Sequence, residues 1–303
     1  MDTSSFFITD KALFGNYPDQ DKIKYLEELG VKYYVNLTHG YEIDNKYVTK
    51  NDVFNYPIKD RSIPYNILKF CQFIIKIANI ITNLKNNDKI YIHCRGGHGR
   101  AGLFVSCLLC YIYDYSPEKS LKLTKEFHNN RKVMRNKWRK IGSPQTRLQK
   151  TLVFKLFKPL YFYKAYKQGP SMGLSNYSKH SIEIKNVGTF MNSIRAFYSF
   201  KSLNNNTYIN KLLTNKTDKF MYNIPNPPQW DENKRNIMKK ILLIKIKQYP
   251  EIFTTLINTG FRKIFYNSKY DFYWGLGDGT GSNELGKLWE EIREDIIRTM
   301  DSV

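Results

Sequence analysis

Tyr91-Ile92-His93-Cys94-Arg95-Gly96-Gly97-His98-Gly99-Arg100-Ala101-Gly102 is the most informative stretch of the chain. A short β-rich segment beginning at Lys89 ends in a cysteine, and five residues, three of them glycine, lead to an arginine. The apolar run from Leu103 to Tyr113 then predicts a buried helix. Glycines at Gly96, Gly97 and Gly99 let successive backbone N–H groups converge on one point, and a helix N-terminus adds its dipole, so this turn predicts an oxyanion nest. A thiol placed there is pushed toward its nucleophilic thiolate. Arg100 offers a planar fork to two oxygens of a tetrahedral oxyanion, and Arg95 and His98 add two further potential cations. A nucleotide-binding P-loop is excluded, because no Lys-Ser/Thr pair follows the glycines. The chemistry that fits is phosphoryl transfer to cysteine.

Working outward, Tyr33 to Leu37 predicts a second strand, Tyr65 to Leu84 a long apolar helix, and Ser116-Pro117 the N-cap and first turn of a basic helix. Strand-like and helix-like segments alternate, which argues for an α/β layer fold with a central sheet flanked by helices. The whole chain has 303 residues, 42% of them hydrophobic, enough for two ordinary domains and too much for wholesale disorder. Small and turn-forming residues around Gly169 to Ser175 place a linker at 166–180, dividing a first domain at 1–165 from a second at 181–303. No apolar window approaches the length of a membrane span, and the N-terminus lacks signal-peptide character, so a cytoplasmic protein is expected. Four cysteines make no disulfide framework and no second Cys or His pair stands at zinc spacing, so neither a metal nor a cofactor is expected.

Lys and Arg number 48 against 27 Asp and Glu, a net charge of +21. Part of this belongs to an AT-rich coding genome, such as that of a large DNA virus or a protist, since Asn and Ile are also plentiful. The rest concentrates between Lys119 and Gln168, where the only acid is Glu126. Such a band is either the solvated face of amphipathic helices or a surface for polyanions, nucleic acid included, although no nucleic-acid-binding motif is present.

The segment His93-Cys94-X5-Arg100 resembles the signature of the cysteine-dependent tyrosine and dual-specificity phosphatases, and the similarity spans about 8–155. It implies that Cys94 is the nucleophile, Arg100 the phosphate clamp and Arg95 to Gly99 the phosphate-binding loop. In that family an aspartate on a separate loop protonates the leaving oxygen. Asp60, in Pro57-Ile58-Lys59-Asp60-Arg61-Ser62-Ile63-Pro64, stands 34 positions before Cys94 and matches that role. The family's Ser/Thr after the arginine is Ala101 here, which puts hydrolysis of the phosphocysteine in question. Gln145 and Gln149 resemble residues that position water in some of these phosphatases. A phosphorylated partner follows, either a phosphoprotein or a small polyanion.

The second dense segment is Asp271-Phe272-Tyr273-Trp274-Gly275-Leu276-Gly277-Asp278-Gly279-Thr280-Gly281-Ser282-Asn283-Glu284-Leu285-Gly286. Its glycines let the backbone wrap a ligand, Trp274 offers a flat face, and Asn283 is expected to cap the helix that follows. With Trp230, Arg235, Met238 and Lys245 it resembles the closing run of the NADAR family over about 185–300, which implies a mainly α-helical α+β domain. The resemblance implies N-glycosidase chemistry on N-ribosyl compounds, such as riboflavin-pathway intermediates or ADP-ribosyl groups. The implied site residues are Lys201, Trp230, Arg235, Lys245, Asp271, Trp274 and Asn283. The family's glutamate before the aromatic segment is replaced by Arg195, which leaves Asp271 to supply an acid or base, or leaves a domain that only binds.

Overall fold

The computed structural model describes residues 2–163, 171–215, 217 and 219–299, and divides the chain into two compact units, 1–158 and 159–303. Each is described by itself.

The first unit is built on a five-stranded sheet of order β1-β2-β5-β3-β4. Its strands are β1 (Ser4–Ile8), β2 (Ala12–Asn16), β3 (Val31–Asn36), β4 (Asp52–Asn55) and β5 (Lys89–Cys94). Only the β1/β2 pair is antiparallel. The helices are α1 (Gln20–Glu28), α2 (Ile67–Thr82), α3 (Arg100–Tyr113), α4 (Pro117–Asn129), α5 (Asn136–Ile141) and α6 (Arg147–Phe157). β5 lies in the middle and is buried along its whole length, as a strand covered on both faces requires. On one face Tyr91 joins Leu13, Tyr34 and the α1 residues Ile23 and Leu26 in a small core. The alternate residues Ile90 and Ile92 point the other way, where α3 packs against β5 and against α2, α4 and α6. Ser116 accepts from the Lys119 N–H at 3.2 Å with Pro117 in the first turn, as its sequence predicts.

Two glycines, one in the central loop and one in the first turn of α3, are sterically required. Gly97 has φ +73°, and a Cβ there would lie 2.3 Å from the Gly15 carbonyl carbon, so only glycine lets the loop rest on the end of β2. A Cβ on Gly102 would meet Ser143 Oγ at 1.9 Å, at the hydroxyl that donates to the His98 carbonyl at 2.6 Å.

His93 is fully buried, with Nε2 2.9 Å from the Tyr47 hydroxyl and Tyr91 and Tyr17 rings on its flanks. Burial, aided by the Lys22 charge, holds its pKa down to about 3.

The second unit is α+β and mainly helical. A parallel pair joins β6 (Leu160–Phe162) to a strand at Ile264–Tyr266, and an antiparallel pair joins β7 (Ile182–Ile184) to β8 (Gly188–Phe190). The elements that follow are α7 (Ser193–Ser199), α8 (Asn206–Thr214), α9 (Trp230–Gln248), α10 (Pro250–Asn258), β9 (the Ile264–Tyr266 strand) and α11 (Glu284–Thr299). α9 packs against α7, α10 and α11. The division at 158/159 corrects the expected boundary. Residues 160–162 pair with β9, so they cannot belong to a first domain at 1–165. The expected linker at 166–180 is corrected as well: 164–170 lie outside the described residues, but Leu174, Ser175, Asn176 and Ser178 are buried. The Trp289 indole donates to the Leu174 carbonyl at 2.9 Å, and Lys245 Nζ donates to the Ser175 carbonyl at 2.8 Å and to Ser178 Oγ at 2.7 Å. The small residues of this stretch are what let it pass under two helices. Among the described residues no helix is long and apolar enough to cross a membrane.

Two outcomes follow. Trp289→Ala should cost about 3–5 kcal/mol of second-unit stability in urea titrations, whereas Trp289→Phe should cost about 1–3 kcal/mol by leaving the Leu174 carbonyl unsatisfied. Because His93 binds a proton more readily unfolded than folded, stability should be complete above about pH 6.5 and fall as pH drops toward 3. The slope from His93 alone reaches about 1.4 kcal/mol per pH unit. His93→Gln should flatten the dependence of the first unit's urea midpoint between pH 7 and 5; an unchanged slope would contradict this.

Candidate active site

Cys94 ends β5 at the carboxyl edge of the sheet, and the nest from Arg95 to Gly99 runs directly into the N-terminus of α3. The loop is tied to its neighbours through Tyr17 N–H to the Arg95 carbonyl (3.0 Å) and Leu37 N–H to the His93 carbonyl (3.0 Å). A cavity of about 260 Å³ opens over it, lined by Cys94, Arg95, Gly96, Asp60, Trp138 and Gln145 among others. The structure therefore brings Cys94, the loop, Asp60 and Gln145 together, as their sequence positions predict.

Arg100 is 1% exposed and its donors divide into two sets. Nη1 donates to Glu42 Oε1 at 2.7 Å and to the Ile58 carbonyl at 2.9 Å, and Nη2 donates to Glu42 Oε2 at 2.8 Å. Nη2 also lies 3.1 Å from Asp60 Oδ1, while Nε is buried with no hydrogen-bond partner among the described residues. Glu42 thus anchors one edge of the guanidinium, and the Nε/Nη2 edge is left for an oxyanion. The two carboxylates differ in commitment: the Glu42 side chain is 7% exposed and that of Asp60 62%. Burial pushes the Glu42 carboxyl up, but the Arg100 guanidinium and the His39 N–H outweigh it and hold it below its ordinary value. Arg100 is held above its own, its burial outweighed by Glu42 and by the Cys94 charge.

Glu42 was not among the residues singled out from sequence. It ends a 3-10 turn (Gly40–Glu42) whose capping box has His39 N–H donating to Glu42 Oε1 at 3.1 Å. A buried arginine demands a carboxylate, but Glu42, Asp44 and Asp52 all lie in the right interval and spacing does not choose among them.

Two expectations, for His98 and Gln149, change in this unit. His98 is no cation: burial and the Arg131 charge hold its pKa down to about 4, its Nδ1 lies 2.8 Å from His128 Nε2, and its ring stacks on Trp138 at 4.6 Å. Gln149 is fully buried, donates to the Ser62 carbonyl at 3.1 Å and accepts from the Thr146 N–H at 3.1 Å, which joins the Asp60 loop to α6. Gln145 lines the cavity instead. Ala101 is fully buried within α3 and offers no hydroxyl.

In the second unit the predicted residues separate. Trp230 and Trp274 both pack on Phe197, at 5.0 and 5.5 Å between ring centroids, and Lys201 Nζ sits 5.5 Å over the Trp230 ring and 5.0 Å over Tyr198. Burial lowers the Lys201 pKa from its ordinary value. Asp271 accepts from the N–H groups of Tyr273 (3.2 Å) and Trp274 (2.7 Å), shaping the loop that carries both rings. Arg235 is spent on Glu284 (2.8 Å) and Glu291 (3.0 Å) of α11. Lys245 is buried beneath the Ser175 segment, and that burial lowers its pKa to about 7. Asn283 does not cap α11 with its side chain; it accepts from the Tyr266 N–H (2.9 Å) and donates to the Ile264 carbonyl (2.9 Å), clamping β9. Arg195, at the position of the family glutamate, is buried and donates to the carbonyls of Leu212 and Asn215 at the end of α8. Tyr273, expected with Trp274 to offer a flat face, packs edge-on to it at 4.8 Å, whereas the rings of Tyr198 and Tyr222, which extend this aromatic cluster, were not singled out from sequence.

Residues 12–153 match the family described as a Swiss Army Knife protein DSP-PTPase phosphatase domain, and residues 161–297 match the NADAR domain. The chain is 34% identical over 257 residues to "Putative tyrosine phosphatase 197R" of Invertebrate iridescent virus 6, covering 84% of this chain and 81% of the relative. It is 38% identical to "Putative tyrosine phosphatase 067L" of Invertebrate iridescent virus 3 over 52% of this chain and 66% of the relative. It is also 37% identical over 68 residues to "N-glycosidase YbiA" of Shigella flexneri serotype 5b, covering 22% of this chain and 42% of that protein. The chain is a hydrolase that belongs to the family of these iridescent-virus tyrosine phosphatases, and it carries a DSP-PTPase phosphatase domain followed by a NADAR domain.

Proposed function

We propose that the first unit hydrolyses phosphomonoesters through a phosphocysteine at Cys94. The observation that carries this reading is the guanidinium of Arg100, whose Nη1 is fixed by Glu42 and Ile58 and whose Nη2 shares Glu42 with one exposed carboxylate, Asp60, while Nε has no partner among the described residues. A phosphoryl group seated on Cys94 takes the Nε/Nη2 fork and the loop N–H groups, and displaces Asp60 toward the leaving oxygen. Cys94 Sγ then attacks phosphorus as the ester P–O bond breaks, and Asp60 delivers its proton to the departing oxygen. In the second half, water attacks the phosphocysteine, Asp60 takes the water's proton, and the Cys94 thiolate leaves with release of inorganic phosphate. To Gln145, which lines the cavity, we assign the orientation of that water. Without a hydroxyl at Ala101 to stabilise the leaving thiolate, the second half is the slower one.

Cys94→Ser should reduce hydrolysis of an aryl phosphate to the level of the blank. Asp60→Asn should lower kcat about 10²- to 10⁴-fold and remove the limb of the pH profile that reports the acid. Activity persisting in Cys94→Ser would refute the assignment.

For the second unit the reading is recognition of an N-ribosyl compound on the cluster of Trp230, Trp274, Tyr198 and Lys201. Glycosidic cleavage is the reaction implied by its family. Asp271 shapes the loop that carries Trp274, but its Oδ1 is engaged by two N–H groups, and Arg195 is engaged by α8. A chain assayed on ADP-ribosyl and riboflavin-precursor panels should bind with loss on Trp274→Ala. Release of free base that is abolished by Asp271→Ala would assign cleavage, and binding without release would assign a reader.

A further inference from the structure

Arg131 is 2% exposed, yet among the described residues no carboxylate forms an ion pair with it. Its Nη2 donates to the Phe14 carbonyl at 3.2 Å, Nε reaches Ser5 Oγ at 3.5 Å, and its plane lies 4.5 Å over the Phe14 ring. These contacts position the guanidinium without neutralising it. Arg100, by contrast, has two carboxylates. Burial lowers the Arg131 pKa to about 10, with Tyr91 and Cys94 opposing, so it stays charged at neutral pH. A buried charge with no counterion is costly and persists where something else offsets it.

Arg131 faces a second cavity, of about 430 Å³, together with Arg95, Arg135, Trp138, Asn16 and Thr3. Arg95, Gly96, His98 and Trp138 line both this cavity and the one above Cys94, so the two are contiguous. No Asp or Glu is among the described residues lining the second one. Lys22 stands behind its wall, with Nζ 2.6 Å from Asn16 Oδ1 and 2.9 Å from Thr3 Oγ1. The segment carrying Arg131 is fixed by Arg139, whose guanidinium donates to the carbonyls of Asn129 and Arg131. The positive field is also strong enough to add to burial in keeping both His98 and His128 neutral.

We propose that the cavity of Arg131, Arg95 and Arg135 is a second anion subsite, which takes another phosphoryl group on the same molecule as the one transferred to Cys94. This rests on the phosphocysteine reading and deepens it: the substrate class is a molecule with two phosphoryl groups, joined in a pyrophosphate chain or borne on separate carbons. Arg100 holds the reacting phosphate and the second cavity holds its companion, so a monophosphate fills only half of the site.

The test is calorimetric binding to the full chain carrying Cys94→Ser. Inorganic pyrophosphate and ADP probe the chain arrangement, and fructose 1,6-bisphosphate the separated one, each against its monophosphate counterpart: inorganic phosphate, AMP and fructose 6-phosphate. At least one pair should show a tenfold or greater preference for two phosphates. That preference should vanish with Arg135→Glu or Arg95→Ala, both exposed positions whose replacement leaves the core intact, and survive Lys140→Glu, an exposed α5 residue that lines neither cavity. It should also shrink as salt rises. Which pair discriminates tells the pyrophosphate arrangement from the separated one. Equal binding within every pair, or a preference unmoved by Arg135→Glu, would overturn the subsite while leaving the Cys94 site standing. Absence of binding by every phosphate would overturn both.

Discussion

The first unit depends on the burial of one cation. Arg100 sits at 1% exposure at the N-terminal end of a helix, where the dipole repels it, and the buried Glu42 carboxylate and the Ile58 carbonyl, with the exposed Asp60 beside them, make that position tolerable. The consequences spread from there. Glu42 must be delivered by the turn after β3, Ile58 by the segment leading to Asp60, and both must converge on the end of β5. The parallel arrangement of β3, β4 and β5 does this, because it places the carboxyl ends of all three strands on one edge. The same pairing that makes the arginine affordable orients it, since a guanidinium anchored along one edge has only the other to offer.

The second unit uses buried polar groups differently. Lys245, Asn283 and Arg195, with the half-buried Arg235, tie helices and strands to one another, and the aromatic cluster is carried on the same unit. A site-like sequence pattern there is largely a pattern of struts. Residues that resist substitution because they hold a loop in place look the same in one sequence as residues that touch a ligand.

That difference explains what the sequence made legible. The strand-Cys94-nest-helix order and both domain families were readable, because glycine conformation, strand periodicity and motif spacing are local properties. The β6/β9 pairing was not, since it joins residues about a hundred positions apart and each strand has three residues. The partner of Arg100 was hidden for the same reason: nothing local distinguishes Glu42 from nearby acids. The sequence left His98 open between a cation and a neutral loop histidine, and the burial that keeps it neutral comes with Trp138 and His128, which only folding brings to it. The net charge of +21 also changes meaning, because Arg100 is neutralised by carboxylates and Arg131 is not.

The central claim is that phosphorus passes through Cys94. Rapid quenching of the full chain with an aryl phosphate, followed by peptide mass analysis, measures it directly. The account predicts phosphate on the peptide containing Cys94, accumulating because Ala101 leaves the second half-reaction slow, and declining when Ala101→Ser speeds it. Product released in a single turnover with no phosphorylated cysteine at any quench time, under conditions that preserve a thiophosphate, would contradict it.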